Sequence, residues 1–95
     1  MSYVKTKFTQ TRSRSVARII DGDKKNLIGG NLKKLRRRLK LSQQGLSNKL
    51  ELLGVYICRG SVSRIEDYTR TVTDIELFAI AEVLGVDPKE LYGGR

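Results

Sequence analysis

The residues of this chain best equipped for chemistry are cations and amides rather than nucleophiles. Arg59, Gly60, Ser61, Ser63 and Arg64 fall in one short stretch, preceded by Gln43 and Gln44 and, further upstream, by Arg36. A guanidinium can take the O6/N7 pair of a guanine or a phosphate in two-pronged fashion. Glycine and small hydroxyl side chains beside it let a backbone approach a duplex closely. Catalysis has far less to work with. Histidine is absent and cysteine occurs once, as Cys58. Neither a zinc site nor an imidazole acid–base pair can be assembled from that inventory. Carboxylate–metal and Ser–Lys chemistry are not strictly excluded, but no spacing supports either. The expectation is a binding protein that is no enzyme, with no cofactor and no metal.

Charge points the same way. The 95 residues suffice for one small domain, and 19 Lys or Arg stand against 10 Asp or Glu, a formal +9. Such an excess draws a chain toward polyanions: DNA, RNA, an anionic membrane or an acidic protein. The excess lies in the first half. Residues 31–52 hold seven bases and one acid, whereas residues 53–95 hold five bases and seven acids. A lone cysteine closes no internal disulfide, which fits a reducing, cytoplasmic setting. No apolar run approaches the roughly 18 residues of a membrane span, and the N-terminus lacks the apolar stretch of a secretory signal.

The elements that would position these residues are helices. Residues 1–26 read as a flexible basic arm, with Lys5, Lys7, Arg12, Arg14 and Arg18 among scattered apolar residues. It is either a tail without a role or a strand of charge lying along phosphates or in a groove; residues 16–20 are suited to a turn of helix. Residues 27–92 form the domain. Gly29 and Gly30 read as a leading turn. Leu32, Leu35 and Leu39 mark a helix over 31–40, with Lys33, Lys34, Arg37, Arg38 and Lys40 on its other faces. Ser42 caps a second helix over 43–52, whose stripe is Leu46, Leu50 and Leu53 and whose end is Gly54. A short third helix over 59–67 buries Val62 and Ile65 and turns Arg59, Gly60, Ser63, Arg64 and Asp67 outward. Thr73 and Glu76 form a capping box for a fourth, with Val72 and Leu77 as its hydrophobic staple; Gly85 ends it. Asp87, Pro88 and Glu90 start a fifth, which Leu91 and Tyr92 tie to the core. The fold class expected is all-α: a compact bundle of five short helices containing a helix-turn-helix.

The run LKKLRRRLKLSQQGLSNKL, followed by SVSRIEDYTRTVTDIELFAIAEVLGVDPKEL, resembles the lambda-repressor-like, Cro/C1-type (XRE-type) helix-turn-helix family over roughly residues 28–92. The resemblance implies that the third helix reads bases in the major groove through Arg59, Gly60, Ser63 and Arg64. It implies that Gln43, next to the cap Ser42, clamps a phosphate with Gln44 near the backbone or groove. Arg36 would pair with Glu66 beside the phosphates, and the loop with Thr69 and Arg70 would touch the backbone. Three departures stand out. Gly45 replaces the usual Glu of a capping box. Tyr68 occupies a position that favours a left-handed glycine. The stretch 51–58 is lengthened and puts Cys58 at the third helix's cap, where it caps poorly.

Each reading has a plainer rival. Arg36–Glu66 can be an ordinary surface salt bridge, and the first helix's cations a solvated face. Cys58 reads as a half-buried small apolar residue rather than a redox sensor. The function expected is sequence-specific binding of double-stranded DNA by a transcriptional regulator, in the first place a repressor. One short reading helix selects few bases, so a homodimer on a near-palindromic operator is expected. The alternative is a protein-interaction module, an antitoxin-like or regulatory partner subunit, because fold alone does not decide function. A regulatory protein partner is compatible with either. RNA binding finds no exposed aromatic platform to support it.

Overall fold

A computed structural model describes residues 22–93. Its elements are α1 (Gly29–Arg38), α2 (Gln43–Leu52), α3 (Arg59–Glu66), α4 (Asp74–Leu84) and α5 (Pro88–Leu91). Among the described residues the number and order of helices are those expected from the sequence. The first helix begins earlier than its leucine periodicity suggests, because Gly29 and Gly30 form its first turn instead of a turn before it. At Gly29 the helix crosses α3 so closely that a Cβ would strike the carbonyl oxygens of Ile65 and Glu66. At Gly30 a Cβ would lie 2.5 Å from the Tyr68 hydroxyl, which accepts the Gly30 N–H at 2.8 Å.

The start of α1 is satisfied by a residue that precedes it by three positions. Asn26 Oδ1 accepts the N–H groups of Ile28 and Gly29 at 3.0 and 2.9 Å. Its Nδ2 donates to the carbonyls of Ile65 and Arg70 at 3.0 and 2.8 Å. The Lys25 N–H donates to the Tyr68 carbonyl at 2.9 Å. Lys25 and Asn26, read in the sequence as the end of the arm, are thus bonded to the end of α3 and the loop after it. Residues 1–21, including the turn of helix expected at 16–20, lie outside the described residues.

Apolar residues at helical spacing, joined by Ile57 from the loop before α3, form the core. Leu32, Leu46, Leu50, Ile57, Val62, Ile65, Ile80 and Leu91 are fully buried. Leu39 and Leu53, placed on the buried stripes by their spacing, are about half exposed (49% and 53%) because each is the C-cap residue, where the chain leaves the helix. The α4 capping box is complete: Thr73 Oγ1 accepts the Glu76 N–H at 3.1 Å and Glu76 Oε1 accepts the Thr73 N–H at 3.0 Å. Val72 and Leu77 pack partly buried against the core, as a staple should. Gly85 ends α4 in the left-handed region at φ +70°. Asp87 caps α5 through the Lys89 N–H at 3.0 Å.

Candidate nucleic-acid interface

α3 sorts its residues by face. Val62 and Ile65 are buried, while Arg59 and Arg64 are exposed and Gly60, Ser61 and Ser63 are partly exposed. With eight residues the helix is too short to persist alone, so α1 and α2 must hold it against the body. Glu66, the last residue of α3, is also buried, and a buried carboxylate needs partners.

It has them from both neighbouring helices. Arg36 of α1 grips the carboxylate with both edges of its fork, Nε to Oε2 at 2.6 Å and Nη2 to Oε1 at 3.0 Å. The side chains of the pair are only 8% and 1% exposed, so this is a buried bridge and not the surface salt bridge that was its rival reading. Gln43, the first residue of α2, donates Nε2 to Glu66 Oε1 at 3.0 Å. Arg36 Nη1 also donates to the Leu41 carbonyl at 2.7 Å, and the Leu41 N–H returns to the Arg36 carbonyl at 3.1 Å. That closed loop holds Lys40 at φ +59°, a backbone conformation a lysine otherwise avoids. One carboxylate therefore joins α1, the first turn of α2 and the end of α3.

The other expected contact residues are placed as follows. Ser42 Oγ accepts the Gly45 N–H at 2.8 Å, so half of a capping box survives with glycine at its third position. Gln44 Nε2 reaches along α2 to Asn48 Oδ1 at 2.9 Å. Arg70 is committed elsewhere: its two Nη atoms meet the Glu76 carboxylate at 3.1 Å each, and Nη1 also donates to the Thr71 carbonyl at 3.0 Å. Arg64 Nη2 donates to Ser61 Oγ at 3.1 Å. Lys33, Lys34, Arg37, Arg38 and Lys40 take no part in the ion pairs Arg36–Glu66 and Arg70–Glu76. At 100° per residue the first four cover the side of α1 opposite Leu32.

Two positions depart from the sequence reading. Cys58 is exposed rather than half buried. Its side chain accepts no capping bond, as expected of a thiol. The Ser61 hydroxyl, 3.4 Å from the sulfur, and the nearby backbone of Ser61 and Gly60 lower its pKa below the ordinary thiol value, partly offset by desolvation. Tyr68 adopts the left-handed conformation, at φ +66°, that the family usually gives to glycine. It is held there by the Gly30 N–H on its hydroxyl and by the Lys24 ammonium 4.5 Å from its ring centre. The parts played by Asn26 and by Ser61 were not visible in the sequence: an Asx cap and an arginine tether are encoded by single residues with no periodicity.

A family model described as Helix-turn-helix matches residues 32–91. The structure is similar to the crystal structure of the restriction-modification controller protein C.AhdI from Aeromonas hydrophila, with a TM-score of 0.59 and 30% identity, covering 67% of this chain and 86% of that one. The likeness bears out the lambda-repressor-like bundle read from the sequence. No curated protein sequence matches. Among the described residues no cluster of His, Cys, Asp and Glu is able to hold a metal ion, and no helix is long and apolar enough to cross a membrane.

Proposed function

This chain belongs to the helix-turn-helix family, and from that premise we propose that it binds a specific sequence of double-stranded DNA and thereby regulates transcription, most simply as a repressor whose operator overlaps a promoter. The observation that carries the reading is the exposed side of α3. Arg59, Gly60, Ser63 and Arg64 face outward, while Val62, Ile65 and Glu66 fasten the helix from behind. A major groove admits such a helix and displays a distinct donor–acceptor pattern for each base pair.

In this reading Arg59 and Arg64 meet base edges, Ser63 meets a base or the backbone, and Gly60 permits close approach. Ser42, Gln43 and Gln44 lie along the phosphates from the first turn of α2. Gln43 keeps its amide oxygen and one N–H for that purpose after bonding Glu66. Arg36 acts mainly through Glu66 and Gln43, by setting their positions. Arg70, braced on Glu76, presents the loop backbone to the phosphates. The cations of α1 supply the charge that makes binding salt-dependent. Two copies on a near-palindromic site, one helical turn apart, would double the bases read. A reducing cytoplasm is the compartment that suits a DNA-binding chain with an exposed thiol. The similar protein is a restriction-modification controller, which supports control of expression as the role.

The test is a binding series on random and selected duplexes across salt concentrations. A steep loss of affinity with salt together with a selected-over-random preference of about 10³-fold or more is expected. Equal affinity for every duplex would remove sequence-specific regulation from consideration.

A further inference from the structure

The two arginines on the exposed side of α3 sit five positions apart, and taken by sequence they are independent readers spaced along the helix. The structure handles Arg64 otherwise. Its Nη2 donates to Ser61 Oγ, one turn back, at 3.1 Å. Its Nη1 lies beside Gly60, 3.6 Å from where a Cβ would stand, an ordinary van der Waals distance. The guanidinium therefore lies back over the first turn of α3, across a residue that has no side chain. Helical side chains already lean toward the N-terminus, so the tether reinforces an intrinsic direction. The Ser61 hydroxyl is itself held from the other side, with the thiol of the cap residue Cys58 at 3.4 Å.

We propose that Ser61 is a positioning residue: it holds the Arg64 guanidinium at the N-terminal turn of α3, beside Gly60, so that Arg64 addresses a guanine at that end of the helix. The proposal rests on the reading of α3 as the base-reading helix. In helix-turn-helix docking the N-terminal residues of the recognition helix meet the base edges. An arginine from the second turn reaches that zone only by folding back. One helical turn is about 5.4 Å and one base step about 3.4 Å, so releasing the tether moves the contact by one to two base pairs. Ser61 thus sets which base pair Arg64 reads, although it need not touch a base itself.

The experiment compares the full chain with Ser61→Ala and Ser61→Thr. Each is titrated with a selected duplex and with its single-base-pair substitutions, at several salt concentrations. At one guanine the wild type is expected to lose about tenfold in affinity on substitution, and Ser61→Ala less than about threefold. Ser61→Thr, which keeps the hydroxyl, restores the discrimination. The salt slope and thermal midpoint stay the same in all three, which a merely structural role would not allow. In the DNA-free proteins, the Arg64 Nε heteronuclear NOE should exceed that of Arg59 in wild type and Ser61→Thr and drop to the Arg59 level in Ser61→Ala. Unchanged discrimination in Ser61→Ala overturns the proposal, as does an Arg64 no more ordered than Arg59 in the wild type. A wild type without any base preference, but with Arg64 order that depends on Ser61, marks failure of the DNA-reading premise, and the base-positioning role falls with it.

Discussion

The pairs Arg36–Glu66 and Arg70–Glu76 both set two guanidinium nitrogens on one carboxylate, at the end of α3 and just after it, yet they differ in reach and burial. The first joins residues 30 apart in sequence, and its side chains are nearly sealed from solvent; the second joins residues six apart, with 28% and 16% of its side chains exposed. A local pair at the surface gains little over water and loses side-chain entropy. A distant pair in the interior is committed. Its charges were stripped of water when the helices closed, so each needs the other to remain. The first pair therefore decides whether α3 is presented at all, and the second only trims the loop behind it.

The harshest way to break the comparison is Arg36→Ala. It leaves Glu66 buried, with Gln43 as its remaining side-chain partner, and should cost about 3–5 kcal/mol, a large share of what a domain of this size possesses. Urea unfolding should show it, and DNA binding should weaken as the folded fraction falls. Exchanging the pair together, Arg36→Met with Glu66→Leu, should recover most of the stability. It should still weaken every duplex about equally, because Gln43 loses its anchor. Recovery of neither stability nor fold would mean that the packing around the pair, rather than the unpaired charge, is decisive.

Gly29→Ala attacks the same junction without touching a charge. The added methyl meets the carbonyls of Ile65 and Glu66, so α1 and α3 must separate. Overpacking of this kind costs about 1–3 kcal/mol. Its unfolding free energy should fall between those of Arg36→Ala and any change to the second pair. A Gly29→Ala protein as stable as wild type would show that the two helices can slide apart freely.

The second pair is read best by pH. The hydrogen bonds from Arg70, together with the Thr73 N–H, hold the Glu76 carboxyl below the ordinary glutamate value, against desolvation that raises it. A carboxyl whose folded pKa lies below its unfolded one stabilises the fold above the unfolded pKa, about 4.3 for glutamate. That contribution is lost as pH falls through the folded pKa. Glu76→Gln keeps a residue that suits the capping box and should cost less than about 1 kcal/mol at neutral pH. Wild type and variant should then converge in denaturation midpoint as the solution is acidified through the folded pKa. Parallel curves would show that Arg70 does not hold the carboxylate in solution.

These contrasts also explain what could be read from the chain alone. Helices with a periodic apolar face and a standard start were legible: the Ser42, Thr73 and Asp87 caps stand where pattern placed them, and Leu46 and Leu50 of α2 and Ile80, Ala81 and Leu84 of α4 are buried as their spacing required. The start of α1 was not, because Gly29 and Gly30 carry no periodic signal and their necessity comes from α3 and Tyr68, far away in sequence. The likeness of the chain to its family supplied the Arg36–Glu66 pairing, but burial of that pair depends on the closure of three helices and has no local signature. The commitments of Arg70 to Glu76 and of Arg64 to Ser61 were hidden for a similar reason. A cation's sequence neighbours do not reveal which acceptor its long side chain will choose.

The smallest effect lies at the start of α3. Cys58 has φ −70° and ψ 164°, nearly the backbone of the caps Ser42 (−76°, 167°) and Thr73 (−80°, 163°). Those two accept a backbone N–H three residues on, at 2.8 and 3.1 Å, and Cys58 has no such bond. The chain has thus already adopted cap geometry and lacks only the oxygen. Cys58→Ser should supply it and stabilise the fold by about 0.5 kcal/mol, toward the low end of capping effects. For a domain of this length that is a rise in melting temperature of roughly 2–4 °C. Cys58→Ala, which offers no acceptor, should bring no such gain. An equal rise in both variants would mean that exposure of the thiol, and not the missing cap bond, is what weakens this end. No rise in either would mean that Val62, Ile65 and the buried Glu66 alone hold the first turn in place.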